Sequence, residues 1–371
     1  MRTSKVTKLV FLSLTLLLTL YYFLHIQSPI SSTPKSALVA LVKPQELYTI
    51  LDTVRNVEDR WNHRFRHDWV FLSEQEFNDE FRSVMSAFVS GNAQFRTINR
   101  KEHWRMPESI DRSRLLNDMR SLEANGVQYG GSTTYRLMCR FQAGFFMEYL
   151  PEYRYYARID PDVKLYCDIE DDIFAQMHSG KYKLGYTMAL RETPHAIHDL
   201  SRVTNEFMKE NPEIIHEGQW LDTFIRPWDT GCHFWTNFEI GDLEFFRSSE
   251  YKKFFEHLDD NGGIFYNRWG DSPIHSVAAS LFLNIRDVHW FSEVGNYHAP
   301  NIHCPTDRSV RLAHKCACPH DHSIPQWERN NIFTYKEQSC IPQFLHLQNL
   351  PFEKNWEDYA DKEVLTKFID Q

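Results

Sequence analysis

Residues 153–172 read YRYYARIDPDVKLYCDIEDD, and the fold is decided there. Tyr153, Tyr155, Tyr156 and Ile159 are aromatic and β-branched types that favour a pleated surface, so the run predicts a strand. Pro161 cannot donate to a ladder, and its ring pushes Asp160 out of helical geometry. The strand therefore stops at Asp160-Pro161-Asp162, with both acids on a tight turn at its carboxyl end. Ligands bind at that edge of open α/β sheets. Two carboxylates one residue apart, followed by Asp168, Glu170, Asp171 and Asp172, repel each other unless solvated or shared with a cation. A hard divalent ion that also grips a diphosphate would relieve them; an acidic surface turn is the plainer alternative.

Upstream of the turn, strand-like and helix-like runs alternate. Ser36–Val42 (SALVALV) is a short apolar strand. Leu47, Ile50, Leu51, Val54, Val57 and Trp61 then recur at helical spacing, with Pro44 near the start. Residues 68–72 (DWVFL) form the next strand, and Phe77, Phe81, Val84, Met85 and Phe88 a second apolar helical face. A third strand is expected over 94–98 and a charged helix over 107–124. Such alternation means a mainly parallel sheet with crossover helices. No G-x-G-x-x-G follows a strand and no G-x-x-x-x-G-K-[ST] occurs. A bound diphosphate would have to be neutralised by a metal and side chains.

The 371 residues, 42% hydrophobic, suffice for one large domain or two small ones, and a net charge of −9 argues against nucleic acid as a partner. Residues 9–26 (LVFLSLTLLLTLYYFLHI) carry no charge from Asp, Glu, Lys or Arg and follow Arg2, Lys5 and Lys8. The expectation is a cytosolic tail over 1–8, an uncleaved signal anchor over 9–26, a polar stem over 27–35 and a lumenal domain over 36–371. A cleaved signal peptide is the competing reading. In an oxidising lumen the seven Cys favour disulfides, and the odd count leaves at least one thiol free or paired elsewhere. The late cluster of Cys304, Cys316 and Cys318 with His303, His314, His320 and His322 could otherwise suggest zinc, but Cys-x-Cys lacks the usual C-x-x-C spacing.

Downstream, Arg136 and Arg140 fall on one helical face, where they could meet phosphate or simply coat a helix. A strand is expected over 182–190 and a surface helix over 194–210, whose His195 and His198 read as inert. Glu239 sits in an aromatic strand over 231–242, surroundings that can hold a carboxylate ready for chemistry or pair it structurally. Asp271 is either the N-cap of the helix that follows or a substrate ligand. His298 lies in a loop as a candidate metal ligand or phosphate donor.

Five blocks now fall into order: YRLMCRF (135–141), YYARIDPDVKLYCDI (155–169), CHFWTNFEI (232–240), RWGDSPIHS (268–276) and GNYHAP with HCP (295–305). With them the chain resembles the yeast-type Golgi α-1,2-mannosyltransferases, glycosyltransferase family 15, from about residue 36 to 340. The resemblance implies type II membrane proteins with a metal-dependent GT-A-like fold. They move mannose from GDP-mannose to the 2-hydroxyl of a mannoside, such as an N- or O-linked glycan, with retention. By position it implies Asp160 and His298 as ligands of a Mn²⁺-like ion and Glu239 as nucleophile or stabiliser on the sugar's far face. Tyr135 becomes the active-site tyrosine, and Asp162 a supporting or ribose-side carboxylate. Two departures stand out: Asp160 replaces a common Glu, and Asn267 replaces an acid in the family's Tyr-Glu-Arg-Trp. A catalytically dead mannoside-binding protein would keep the aromatics but lose Asp160, Glu239 and His298. A phosphate-ester hydrolase would want a denser two-metal cluster.

Overall fold

A computed structural model of the chain describes residues 34–225, 231–305, 307–318 and 339–349. The expected anchor over 9–26 and the charged tail past Asn349 lie outside them. Among the described residues no helix is long and apolar enough to cross a membrane.

The first half alternates as the sequence predicts: β1 (Ser36–Leu41), α1 (Leu47–Val57), β2 (Asp68–Ser73), α2 (Asp79–Phe88), β3 (Ala93–Thr97), α3 (Arg112–Ala124) and α4 (Thr133–Gly144). Asn78 caps α2, Asp111 caps α3 and Ser132 caps α4, each side chain accepting from backbone N–H groups of the first turn. β4 (Tyr155–Ile159) then enters the sheet beside β1, in parallel.

Seven strands make the main sheet, in the order β10-β6-β9-β4-β1-β2-β3. β6 is Leu184–Tyr186, β9 is Phe238–Asp242 and β10 is Val288–Trp290. All pairings are parallel except those of β9, which runs antiparallel to both β4 and β6. The pleat divides β4 between two cores. Tyr155, Ala157 and Ile159 pack with α1 on one face; Tyr156 packs on the other, beneath α4, α7 (Ser249–Asn261) and α8 (Asp271–Phe282). Arg158, two residues along, shares the Tyr156 face.

Several local expectations are corrected. The run 182–190 is two strands, because the chain leaves the main sheet after Tyr186 and β7 (Ala189–Arg191) pairs instead with β8 (Cys232–Phe234). The helix expected from 194 begins at Leu200 as α6 (Leu200–Glu210), after a 3₁₀ turn at Pro194–Ala196 that leaves His195 exposed. His298 ends a strand rather than sitting in a loop: β11 (Asn296–His298) lies between β5 (Lys164–Leu165) and β12 (Asn301–His303) in a small antiparallel sheet. Asp271 is not the cap of α8; Gly270 holds that position.

The cysteines form three disulfides, Cys167–Cys316, Cys232–Cys340 and Cys304–Cys318, and leave Cys139 buried as a thiol. The small sheet is thus riveted at both ends, since Cys167 follows β5 and Cys304 follows β12.

Candidate active site

The turn closes as Pro161 requires. The Val163 N–H donates to the Asp160 carbonyl at 3.1 Å, and the Asp160 N–H donates to the Asn237 carbonyl at 3.1 Å. The Thr53 hydroxyl holds the Pro161 carbonyl from α1. β11 pairs with β5, the first strand after the turn, so the register carries His298 back to Asp162: Nε2 lies 2.9 Å from Oδ1. That bond is the main reason the Asp162 carboxyl is held below its usual range. Burial works against a charge on His298, but the Asp162 bond and the charges of Asp160 and Asp162 override it and raise its pKa. Trp235 closes edge-on against the imidazole, 5.0 Å between centroids.

Asp160 accepts two bonds from Arg158, Nε at 2.8 Å and Nη2 at 3.1 Å. The same guanidinium reaches Asp271 and, at 3.2 Å, the Thr236 hydroxyl, which itself donates to Asp271 at 2.7 Å. Arg158 is 6% exposed and Asp271 3%. A charge so buried survives only when paired. Burial opposes both ions, and their mutual attraction prevails: Arg158 is raised and Asp271 lowered. Asp271 is therefore neither a cap nor an open ligand but one jaw of a clamp on Arg158.

Glu239 is 1% exposed. The Tyr156 hydroxyl donates to its Oε1, and His275 Nδ1 lies 3.1 Å and 3.0 Å from its two oxygens. Gly241, opposite Tyr156 on β9, makes room for the phenol: a Cβ there would stand 2.4 Å from Tyr156 Cε1. His275 Nε2 faces the Gln142 carbonyl at 3.1 Å. An imidazole with a carboxylate on one nitrogen and a carbonyl on the other must donate from both, which makes it a cation.

Tyr135 opens α4, its ring stacked on Tyr129 at 4.5 Å and 16°. Burial pushes its phenol well above the ordinary range. The two arginines expected to meet phosphate are held by the protein. Arg136 is fully buried, with Nε donating to the Phe265 carbonyl at 2.6 Å and Nη1 to the Ser132 carbonyl at 2.9 Å; burial, with Arg268 nearby, lowers its pKa to about 10. Arg140 makes two 2.7 Å bonds to Asp259 of α7. Neither shares a partner with Asp160 or His298. The acidic run beyond Cys167 is clamped as well: Asp168 pairs with Arg60, Glu170 with Arg64, and Asp172 with His67.

Among the described residues no three His, Cys, Asp or Glu side chains converge as a closed metal centre. The residues fit an open site instead. His298 has one ring nitrogen on a carboxylate and the other, Nδ1, buried without a partner. This is how a histidine ligand is usually oriented, by a supporting acid that fixes its tautomer. Imidazole and carboxylate donors suit Mn²⁺, and diphosphate oxygens would complete its shell.

Arg158, Tyr156 and His275 were missed by sequence reasoning. One signal was available: an arginine inside an aromatic strand, two residues before Asp160 and so on its face. Tyr156 and His275 carried no signal distinguishing them from core.

Solved structures with this fold place the chain among GT-A-like glycosyltransferases. Core-mannan synthase A of Aspergillus fumigatus, in its Mn/GDP form, is 30% identical with a TM-score of 0.77, 88% of each chain being covered. The mannosyltransferase Ktr4p of Saccharomyces cerevisiae, in complex with GDP, is 30% identical with a TM-score of 0.78, over 90% of this chain and 86% of that one. The family model for glycolipid 2-alpha-mannosyltransferase matches residues 23–349, and the chain belongs to that family. Glycolipid 2-alpha-mannosyltransferase 1 of Candida albicans is 42% identical over 331 residues, 88% of this chain and 74% of the relative. Alpha-1,2 mannosyltransferase KTR1 of S. cerevisiae is 39% identical over 348 residues, 91% and 86%.

Proposed function

We infer that the chain is a retaining α-1,2-mannosyltransferase, moving mannose from GDP-mannose to the 2-hydroxyl of a mannoside with Mn²⁺. The observation that carries this is the meeting of Asp162 with His298 beside Asp160, at the carboxyl end of a sheet strand; it is supported by likeness to one relative solved with Mn and GDP and another solved with GDP. Asp160 and His298 would hold the ion, and Asp162 would orient His298. When bound, the ion supplies Lewis acidity to the departing diphosphate in place of a phosphate loop.

The chain's own groups do the rest. Arg158 fixes the Asp160 carboxylate by two bonds. Tyr135, a protonated phenol, is proposed to donate a hydrogen bond to a sugar oxygen. Glu239 is proposed to favour the oxocarbenium-like centre from within the sheet. Its burial beneath Tyr156 and His275 supports an electrostatic action more than direct attack.

Incubation with GDP-mannose, α-methyl mannoside and Mn²⁺, with product linkage and configuration read by NMR, is the test. An α-1,2-linked dimannoside is expected. Mannoside binding with no transfer would point to an inactive binding protein instead. Acceptors on N- or O-linked glycans of cell-wall mannoproteins, and a single-pass type II placement in the Golgi membrane, are proposed with it. Three disulfides support an oxidising lumen. Digestion of the catalytic domain from the cytosolic side of intact vesicles would refute that placement.

A further inference from the structure

Tyr135 is held from two sides. Besides the stacked Tyr129 comes Arg268, whose guanidinium carbon lies 5.4 Å from the Tyr135 ring centroid and whose Nη1 is 3.3 Å from the phenol oxygen. Both holders sit in left-handed backbone, with φ of 59° at Tyr129 and 65° at Arg268. Side chains bearing a Cβ rarely persist there unless the surroundings over-determine them, and such residues gather at functional sites.

Arg268 is itself anchored. It is 4% exposed, and its Nη2 lies 3.2 Å from Oε1 of Glu192. Glu192 follows β7, and its N–H donates to the Gly231 carbonyl at 2.9 Å, which fixes the acid's base to β8. Burial disfavours the Arg268 charge, and Glu192 restores it. The loop before α4 and the turn before α8 thus meet at one phenol, and the turn after β7 anchors the second of them.

A guanidinium only donates. Where Arg268 gives a hydrogen to the Tyr135 oxygen, the phenol's own proton must point elsewhere. The hydroxyl's other close neighbour is the buried thiol of Cys139, one helical turn along. Thiol sulfur is a weak acceptor, and a sugar oxygen would displace it.

We propose that Arg268, oriented by Glu192, is a positioning residue for Tyr135: by donating into the phenol oxygen it fixes the hydroxyl and commits the phenol proton to a sugar oxygen at the reacting centre. The inference rests on the reading that Tyr135 meets substrate. It gives the site a three-residue chain, Glu192 to Arg268 to Tyr135, in which only the last member touches the sugar.

A double-mutant cycle tests it. Arg268→Gln should lower kcat about tenfold to a hundredfold, the scale of a hydrogen bond from a charged donor. The KM for GDP-mannose should stay within about twofold, since the contact serves the reacting centre rather than donor binding. In a Tyr135→Phe background the same substitution should cost nothing further. Arg268→Lys should recover part of the loss, as a point charge can replace one bond of the fork but not both. Losses that multiply in the double variant, with Tyr135→Phe itself deeply impaired, would overturn the role of Arg268 and leave that of Tyr135 intact. Near-normal kcat in Tyr135→Phe would overturn both. Should Arg268→Gln fail to fold by circular dichroism, Glu192→Gln with Tyr135→Phe completes the same cycle, with a smaller expected loss and the same reading of multiplying effects.

Discussion

Arg158 and Glu239 stand directly opposite each other on β4 and β9, yet neither pairs with the other. Arg158 turns to Asp271 and Glu239 to His275, residues one turn apart on α8. The helix therefore lies over the sheet as a second row of charge, each ion of the strand pair matched by its opposite above. Four residues, each 6% exposed or less, form this square. Removing one partner from such a buried pair typically costs about 3–5 kcal/mol, because the other charge is left unmatched.

Glu239→Gln is therefore expected to do two things. It should lower kcat by at least roughly two orders of magnitude, as for loss of a major transition-state stabiliser, and it should lower stability by leaving His275 charged and alone. His275→Gln separates them: stability falls, while kcat of the folded protein stays closer to wild type if the carboxylate itself works on the sugar. Equal falls in kcat would assign the effect to the pair.

The same pair predicts a pH signature. Burial opposes a charge on His275, but Glu239 more than offsets it and lifts its pKa above the ordinary 6.5. A group with a raised folded-state pKa contributes stability in full below its unfolded value and loses it as pH rises through the folded one. The gap in unfolding free energy between wild type and His275→Gln should thus be widest below pH 6.5 and narrow above it. Denaturant titrations at about pH 6 and about pH 9 measure it; a gap that widens with pH would contradict a charged His275.

Asp160→Ala should abolish Mn²⁺-dependent transfer while the protein still folds. Arg158 keeps Asp271 and Thr236 when Asp160 is removed, so its charge is not orphaned. Near-normal turnover in the variant would sink the metal role of Asp160.

Much of this was legible in the chain. The alternation from β1 to α3 followed from apolar spacing, and the Asp160 turn from one proline. What was not legible depended on partners far away in sequence. Nothing local shows that Arg140 belongs to Asp259, 119 residues on, or that Glu192 holds Arg268. The run 182–190 reads as one strand because Tyr182, Leu184, Tyr186, Thr187 and Leu190 form one apolar and β-favouring stretch; only the packed sheet shows that the chain changes partners after Tyr186. His298 read as loop because a three-residue strand carries too little pattern, its place being set by pairing with β5.

Asp162→Asn should weaken Mn²⁺ binding about tenfold to a hundredfold through the loosened His298, the usual cost of losing a ligand's supporting acid. With Mn²⁺ saturating, kcat should recover. A loss of kcat that persists at high Mn²⁺ would instead give Asp162 a direct part in the reaction.

The rivets on the small sheet predict a link between redox state and metal. Cys167→Ser with Cys316→Ser opens a bridge spanning 149 residues, a loop for which chain entropy alone gives about 5 kcal/mol. Beyond the fall in Tm, Mn²⁺ affinity in the presence of GDP should drop, because the end of β5 loses its tie to the 316–318 segment, which Cys318 joins to the end of β12, and the sheet that sets His298 against Asp162 loosens. Unchanged Mn²⁺ binding, followed by electron paramagnetic resonance, would show that the sheet's hydrogen bonds and the Cys304–Cys318 bridge hold it without this one.

Cys139 turns α4 into its own reporter. The one cysteine outside a bridge is 0% exposed and shares α4 with Tyr135, so a maleimide can reach it only when that helix lifts from α8. Labelling speed then counts openings of this helix, and if Tyr135 meets substrate as proposed, a bound donor should slow the reaction in proportion to how firmly it holds the helix down.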